Sequence, residues 1–367
     1  MESAETQIRF GILGCAQIAK KLSRAITLAP NAALYAVASR SSDKAKAFAA
    51  ANGFPPSAKA YGSYEALLDD PDVDAVYVPL PTSLHRQWAV KVAEKKKHVL
   101  LEKPVALNAA ELEEILAACE SNGVQFMDAT MWMHHPRTAV MKELLDDSER
   151  FGEIKVIHST FTFAGGPDFL TDNIRVSPHL DALGALGDVG WYCIRSILWA
   201  ASYHLPQTAV ASRNPVINDA GVILSCGASL YWPDGKFTEI LTNISNKVAT
   251  FHCSFFTSLS LDLTVLGTKS SLRVNDYAGP LDEKAASFHV TTQFGFGKPL
   301  VKEEWVACES PQEAGMVGEF ARLVAGIKRN GCKPEKEWGV LSWKTQVVLD
   351  AVKASIDRGF EPVEIVT

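Results

Sequence analysis

The feature that most limits what this chain can become is the rhythm of its first third. Short apolar runs alternate there with stretches whose apolar residues recur every three or four positions. The runs suit strands buried on both faces and the stretches suit one-faced helices, so the alternation specifies βαβ units and a parallel sheet. Residues 8–13 read as the first strand, and Ala16, Ile18, Ala19, Leu22, Ala25 and Ile26 mark one face of the helix that follows. Further strands are expected over 33–38, 73–78, 99–101 and 124–127. Helices are expected to start at Ser42-Asp43, to run through Trp88, and to extend from the cap Asn108 to the stop Gly123. The first domain is expected to end at residue 128.

From residue 153 the texture changes. Segments 153–164, 222–232, 237–245, 248–256, 261–266 and 271–274 follow one another as strands, with turn chemistry at Pro233-Asp234-Gly235 and Gly267-Thr268-Lys269. A last helix over 342–358 carries Trp343, Val347, Val348, Ala351, Val352 and Ile356 on one stripe, is stopped by Gly359, and suits packing on the first domain. The expected fold class is α/β: an N-terminal Rossmann domain with a doubly wound parallel sheet over 1–128, then a C-terminal α+β domain over 129–367. The second domain's sheet should be large, mostly antiparallel and open-faced. Leu261, Leu263, Val265, Phe251, Phe255 and Phe256 place apolar side chains on both sides of these strands, and a homodimer formed through the open face would cover the excess.

Composition narrows the partners. With 367 residues there is length for about two domains, and 36 basic against 42 acidic residues leave a net charge of −6, with no electrostatic footprint for nucleic acid or anionic membrane. The longest charge-free run, 196–212, is interrupted by His204, Pro206 and Gln207, too polar to span a bilayer. Residues 1–7 do not read as a targeting segment, and seven scattered cysteines without a C-x-x-C pair fit reduced thiols and a cytoplasmic location. The partner these facts leave is a small-molecule substrate.

Directly after the first strand, Gly14-Cys15-Ala16-Gln17-Ile18-Ala19 stands where a dinucleotide-binding fold brings a pyrophosphate to a helix N-terminus. Only the first fingerprint glycine, Gly14, is present, so spacing alone leaves an ordinary strand-to-helix turn open; the βαβ context favours the nucleotide. The second strand ends in Ser39-Arg40-Ser41, with Lys44 nearby, where NAD-specific enzymes place an acid. That cluster suits an adenosine 2′-phosphate or else a plain solvated turn, so NADP is favoured, with NAD as the alternative. Pro79-Leu80-Pro81-Thr82-Ser83-Leu84-His85 and Glu102-Lys103-Pro104 end two further strands over the same crevice. Lys103 can bring positive charge to a reacting hydroxyl, and Pro104 is expected to hold the backbone extended. For His85 and His179 packing and catalysis weigh equally. No zinc or calcium spacing and no nucleophile elbow is present, and no metal is expected.

Taken together, these stretches resemble the Gfo/Idh/MocA oxidoreductases, the family of glucose-fructose oxidoreductase and inositol dehydrogenase. Glu102-Lys103-Pro104 is similar to that family's signature, and Gly184-Ala185-Leu186-Gly187-Asp188-Val189-Gly190-Trp191-Tyr192 resembles its glycine-rich helix start, in the tyrosine version of dihydrodiol and xylose dehydrogenases. Trp132 and Pro136 resemble the linking segment, and Asn173 to Arg175 the stretch before the helix; the chain also resembles plant members described simply as oxidoreductases. The chain departs from the pattern in the missing fingerprint glycines and in His134, where relatives often carry arginine. The resemblance implies an NADP-dependent oxidoreductase moving hydride to or from a hydroxyl or carbonyl carbon of a sugar, polyol or cyclic diol. Tyr192 would exchange the hydroxyl proton, Lys103 would lower its pKa, and Asp188 would orient the lysine or the substrate. Gly14, Cys15, Ala16, Gln17, Ile18, Ser39, Arg40, Lys44, Pro79, Leu80, Pro81, His85, Glu102 and Lys103 are the implied cofactor contacts; Trp132, Arg175, Asp188 and Tyr192 are the implied substrate contacts. Lys103 and Tyr192, from different domains, are expected to face one interdomain cleft. A dinucleotide-sensing regulator and a hydride-assisted glycosidase are the alternatives, and the second is disfavoured by tyrosine in place of the expected histidine.

Overall fold

The computed structural model describes residues 7–232, 247–292 and 296–366. Its elements in chain order are β1 (Ile8–Leu13), α1 (Gln17–Leu28), β2 (Ala32–Ala38), α2 (Ser42–Ala51), β3 (Lys59–Tyr61), α3 (Tyr64–Leu68), β4 (Ala75–Val78), α4 (His85–Glu94), β5 (His98–Leu101), α5 (Ala109–Asn122), β6 (Phe126–Asp128), α6 (Pro136–Asp146), β7 (Ile154–Ala164) and α7 (Pro167–Asp172). They continue with α8 (Trp191–Ala200), β8 (Thr208–Ala211), β9 (Val216–Ile217), β10 (Ile223–Trp232), β11 (Lys247–Ser254), β12 (Phe256–Gly267), β13 (Ser270–Val274), β14 (Ala285–Thr292), β15 (Leu300–Ala307), α9 (Gln312–Asn330), α10 (Glu337–Asp357) and β16 (Val363–Glu364). The expected strand 237–245 and the turn Pro233-Asp234-Gly235 lie outside the described residues.

The chain forms two compact units, and the first is not contiguous: it holds residues up to His135 together with Glu309–Trp343, while the second holds Pro136–Cys308 and the residues from Lys344 on. A single boundary at residue 128 therefore does not describe the contacts. The reason is α9, whose Ala314, Met316, Val317, Phe320, Ala321 and Val324 are buried in the same core as Phe10, Leu22 and Ile26. Phe10 and Phe320 meet with ring centroids 6.0 Å apart. The last helix begins earlier than expected, at Glu337, and the unit division falls within it.

In the first unit six parallel strands stand in the order β3-β2-β1-β4-β5-β6. The order reverses between β1 and β4, which makes the carboxyl ends of those two strands the place where such sheets bind ligands. The apolar runs read from the sequence are these buried strands: Phe10, Ile12, Tyr77, Val78, Leu100 and Leu101 are fully covered. The two terminators of α5 act as the sequence implies. The Asn108 side chain accepts from Glu111 N–H at 3.0 Å, and Gly123 takes a left-handed φ of 66°.

The second unit is a ten-stranded sheet ordered β15-β14-β13-β12-β7-β11-β10-β8-β16, with β9 beside β10; the pair β7–β11 is parallel and the other described pairs are antiparallel. One face is covered within the unit, by α8 against β7 and β11 and by α6 against β14 and β15. This corrects the expected apolar excess: Phe251, Phe255, Leu263 and Val265 are all buried in the unit, Leu261 is half-buried, and only Phe256 is exposed. Period-two alternation, not two-sided hydrophobicity, governs these strands. The register nevertheless aligns a different row, apolar except for Ser271 and Thr291, across the strands. Tyr231 pairs with Val248, Val248 with Val156, Val156 with Leu266, Leu266 with Ser271, Ser271 with Thr291 and Thr291 with Val301. Tyr231, Leu266 and Val301 in that row are exposed, as is Trp305 farther along β15.

Candidate active site

The functional residues form two sets, one in each unit. In the first unit β1 ends at Gly14, whose φ of 97° lies in the left-handed region and whose N–H donates to Ala38 O at 2.8 Å. A side chain there would also stand 3.3 Å from Leu80 Cδ2 and 3.4 Å from the Tyr64 hydroxyl, so turn geometry and space both select glycine. The turn delivers the chain to Ala16, which precedes α1 without any side-chain cap, and the first turn of α1 holds no acidic residue. The opening N–H groups of that helix and its positive dipole end are thus left to an anion. Cys15, Ala16 and Ile18 are half-buried around this turn and Gln17 is exposed.

Beside it, Ser39 is buried and its N–H donates to Tyr61 O at 3.1 Å, while Arg40 is exposed. The Ser41 side chain caps α2 by accepting from Lys44 N–H at 3.3 Å, leaving the Lys44 side chain in solvent. The Cys15 Sγ lies 3.8 Å from Lys44 O; burial pushes the thiol up, opposed by Ser39 and Lys44. Reading the sequence missed Tyr64. Its ring packs edge-on against Trp88 at 4.8 Å, and burial raises its hydroxyl while the Arg40 charge pulls it down. Its signal was its place at the start of the helix after β3, over the same crevice.

The loops after β4 and β5 complete this set. Pro79 and Leu80 are buried and Pro81 is half-buried. His85 is 1% exposed, and its ring nitrogens face main-chain carbonyls of Leu80, Pro104 and Val105. Glu102 is also buried; its carboxylate accepts from the Tyr77 hydroxyl and, at 3.2 Å, from Lys103 N–H. Both residues are expected cofactor contacts, and these side-chain atoms engage the protein's own loops. Lys103 is half-buried, and the Lys103–Pro104 peptide is cis. Trp132, expected at the substrate, is completely buried, and His134 stacks on Trp338 at 4.7 Å.

In the second unit the glycine-rich stretch forms a tight approach. Gly184 has φ of 58°, and a Cβ there would lie 1.9 Å from Ile223 O, so no other residue fits. The chain then takes a π-turn over Leu186–Gly190 and continues directly into α8. Such π segments occur frequently at functional sites. Asp188 sits in the π-turn and pairs with Arg175, Nε to Oδ2 2.8 Å. Asn173 sets up that contact, accepting Arg175 N–H at 3.1 Å. One turn beyond Asp188 is Tyr192, half-buried, its ring tilted against Phe161 at 5.3 Å. Three expected substrate residues, Arg175, Asp188 and Tyr192, therefore share one small region. His179 is exposed, and no metal-binding cluster occurs among the described residues.

The residues of the first set fit a dinucleotide phosphate: an uncapped helix start behind a left-handed glycine, and an exposed arginine where an acid would repel a 2′-phosphate.

Comparison with known proteins gives concordant results. A model of an oxidoreductase family with an NAD-binding Rossmann fold matches residues 8–130, and the GFO/IDH/MocA C-terminal domain matches residues 138–273. The chain is 41% identical over 185 residues to D-xylose 1-dehydrogenase (NADP+) 2 of Haloferax volcanii, an alignment covering 50% of this chain and 54% of that protein. It is 30% identical over 273 residues to trans-1,2-dihydrobenzene-1,2-diol dehydrogenase of Bos taurus, covering 73% and 74%. Among solved structures, a 3-ketoreductase from Actinomadura kijaniata in complex with NADP and TDP-benzene superimposes with a TM-score of 0.77 at 27% identity, covering 95% of this chain and 98% of that one. Variants of that enzyme with one lysine replaced by alanine or glutamate, and one with a tyrosine replaced by phenylalanine, have been crystallised with the same two ligands.

Proposed function

The chain belongs to the GFO/IDH/MocA oxidoreductase family, and on that premise we propose that it is an NADP-dependent oxidoreductase acting on a hydroxyl or carbonyl carbon of a sugar, polyol or cyclic diol. The observation that carries this reading is the end of β1, where Gly14 and the uncapped, acid-free start of α1 meet the exposed Arg40. Arg40 pairs with the 2′-phosphate and Ser39 takes the place of the acid that would repel it. When bound, NADP supplies a hydride acceptor at nicotinamide C4.

The chain's own groups handle the proton. A tyrosine hydroxyl with its ordinary pKa of about 10 is a weak base near neutrality, and an adjacent ammonium favours its ionised form. The family resemblance implies Lys103 for that role, and Tyr192 for accepting the proton of the substrate hydroxyl as the carbon that bears it loses hydride and for returning it in the reverse direction. Arg175 and Asp188, already paired, present a donor and an acceptor side by side, an arrangement suited to neighbouring hydroxyls of a polyol.

The exposed Tyr231, Leu266 and Val301, with Trp305 near them, support a homodimer formed through the face of the second unit's sheet opposite its helices. Light scattering at micromolar concentration should give twice the chain mass; a monomer mass refutes the dimer. No helix among the described residues is long and apolar enough to cross a membrane, and all seven cysteines are free, which supports a reducing, cytoplasmic setting. A panel of sugars, polyols, dihydrodiols and small carbonyls, followed by nicotinamide absorbance with NADP and with NAD, tests the activity. Turnover with NADP on at least one of them is expected, and inertness toward all of them with both cofactors would count against it.

A further inference from the structure

His85 lies at the start of α4, and its ring is closed off from solvent. Nε2 stands 2.7 Å from Leu80 O, in the loop after β4. Nδ1 stands 3.0 Å from Pro104 O and 3.3 Å from Val105 O, in the loop after β5. A carbonyl oxygen can only accept a hydrogen bond. A neutral imidazole has one N–H and one lone pair, so either tautomer would point a lone pair at a carbonyl on one side. Only the doubly protonated ring donates to both loops.

Glu102 takes the Tyr77 hydroxyl and Lys103 N–H, Glu111 takes Leu107 N–H, and Arg86 pairs with Glu114; Lys103 is the cation nearest in sequence to the clamped carbonyls. Three main-chain carbonyl dipoles face the ring nitrogens and favour its charged form against the desolvation that burial imposes.

We infer that His85 is a positioning residue, protonated on both ring nitrogens, that clamps the Leu80 loop to the Pro104–Val105 loop and so fixes Lys103 beside the nucleotide site. The role of Lys103 is taken from the functional reading above; the protonation of His85 does not depend on it. The clamp also makes nucleotide affinity sensitive to pH, because losing one proton releases one of the two loops.

The direct test is long-range nitrogen–proton NMR of the histidine rings in the full chain without cofactor, with His85 assigned by its absence from the His85→Gln spectrum. At about pH 7 both His85 nitrogens should show protonated shifts; a single protonated nitrogen overturns the inference. Raising the pH until the second proton leaves should weaken NADPH binding, followed by fluorescence, in step with the His85 signal. Affinity that stays constant through that transition overturns the coupling. The His85→Gln amide can donate to one loop only, so that variant should bind NADPH about tenfold more weakly and lose the pH response. Wild-type affinity in that variant also overturns the coupling; if it does not fold, assignment by the neighbouring backbone resonances leaves the wild-type titration decisive. The spectra stand whether or not a substrate has been identified, so failure of the clamp and failure of the enzymatic reading are told apart.

Discussion

At the end of β1 the groups offered to a ligand belong mostly to the main chain, a left-handed Gly14 and the open N–H groups of α1, joined by the exposed side-chain cations Arg40 and Lys44. Around the π-turn of the second unit they are side chains, Arg175, Asp188 and Tyr192, each held by a specific neighbour. Main-chain donors recognise what every dinucleotide has in common, and they tolerate sequence change as long as the turn survives. Side chains carry identity and are lost one substitution at a time. The contrast explains why cofactor class can be assigned on firmer grounds than substrate within this class of sugars, polyols and diols.

Substitutions at the reacting groups should break the contrast most sharply. Lys103→Met and Tyr192→Phe should each lower kcat by about 10²–10⁴ while leaving NADPH affinity near wild type, since neither removes a phosphate contact. The double variant should be little worse than the poorer single one, because both act in one proton transfer. Steady-state kinetics beside fluorescence titration would check this; a near-normal kcat in either single variant removes that residue from the chemistry.

The second unit's reliance on side chains should extend to its frame. Arg137, 1% exposed in α6, donates to Asp276 and, at 2.9 Å, to Ser287 O. Arg137→Ala leaves that carboxylate and carbonyl without their cation, and urea denaturation should register a loss of about 3 kcal/mol. A change below about 0.5 kcal/mol, the level of ordinary surface substitutions, would mean that the strands do not depend on it.

In the first unit an acid-sensitive element replaces it. His98 is buried, accepts Gln125 N–H at 2.9 Å through Nδ1, and is pushed down to about 4 by burial and by the Lys328 charge. Its folded pKa lies below the unfolded value near 6.5, so the unfolded chain binds the proton more readily. Its contribution is complete above about pH 6.5 and is lost as the pH falls toward 4, by at most about 3 kcal/mol. Denaturation midpoints across that window should slope less in His98→Gln; equal slopes would assign the acid sensitivity elsewhere.

The smallest effect concerns cofactor choice. Arg40→Ala should cost about 1.5–3 kcal/mol of NADPH binding, roughly tenfold or more in affinity, and leave NADH almost unchanged. Equal losses for the two nucleotides in a fluorescence titration would remove Arg40 from the 2′-phosphate.

Most of the first unit was legible because its strands are continuous apolar runs and its helices carry one-sided stripes; β1, β2, β4, β5 and β6 fall within a residue or two of the expected segments. What escaped was assembly. Helix α9 lies almost two hundred residues beyond β6 in sequence yet shares the core of Phe10, and no local pattern encodes which core a stripe will enter. Strand β15 was missed because Lys302, Glu303 and Glu304 break any alternation there, whereas β14 does alternate, with Ala286, Phe288 and Val290 against Ser287, His289 and Thr291, and was overlooked. At the candidate site, Gly14, Arg40, Lys103, Asp188 and Tyr192 could be singled out by position or resemblance. The commitments of His85, Glu102 and Trp132 to the interior could not, because a polar or aromatic residue beside a crevice reads the same whether it faces in or out.

The central claim is that hydride and proton move to a carbonyl carbon and its oxygen from the cofactor and from Tyr192 respectively. Its most direct test is reduction of a carbonyl product from the substrate panel with NADPH deuterated at nicotinamide C4 on the transferred face, followed by mass spectrometry. The account predicts one deuterium on the carbon that carries the new hydroxyl, at a rate that collapses in Tyr192→Phe. Product formed without deuterium, or with the label returned to unchanged NADPH pools and a bond elsewhere cleaved, would contradict it.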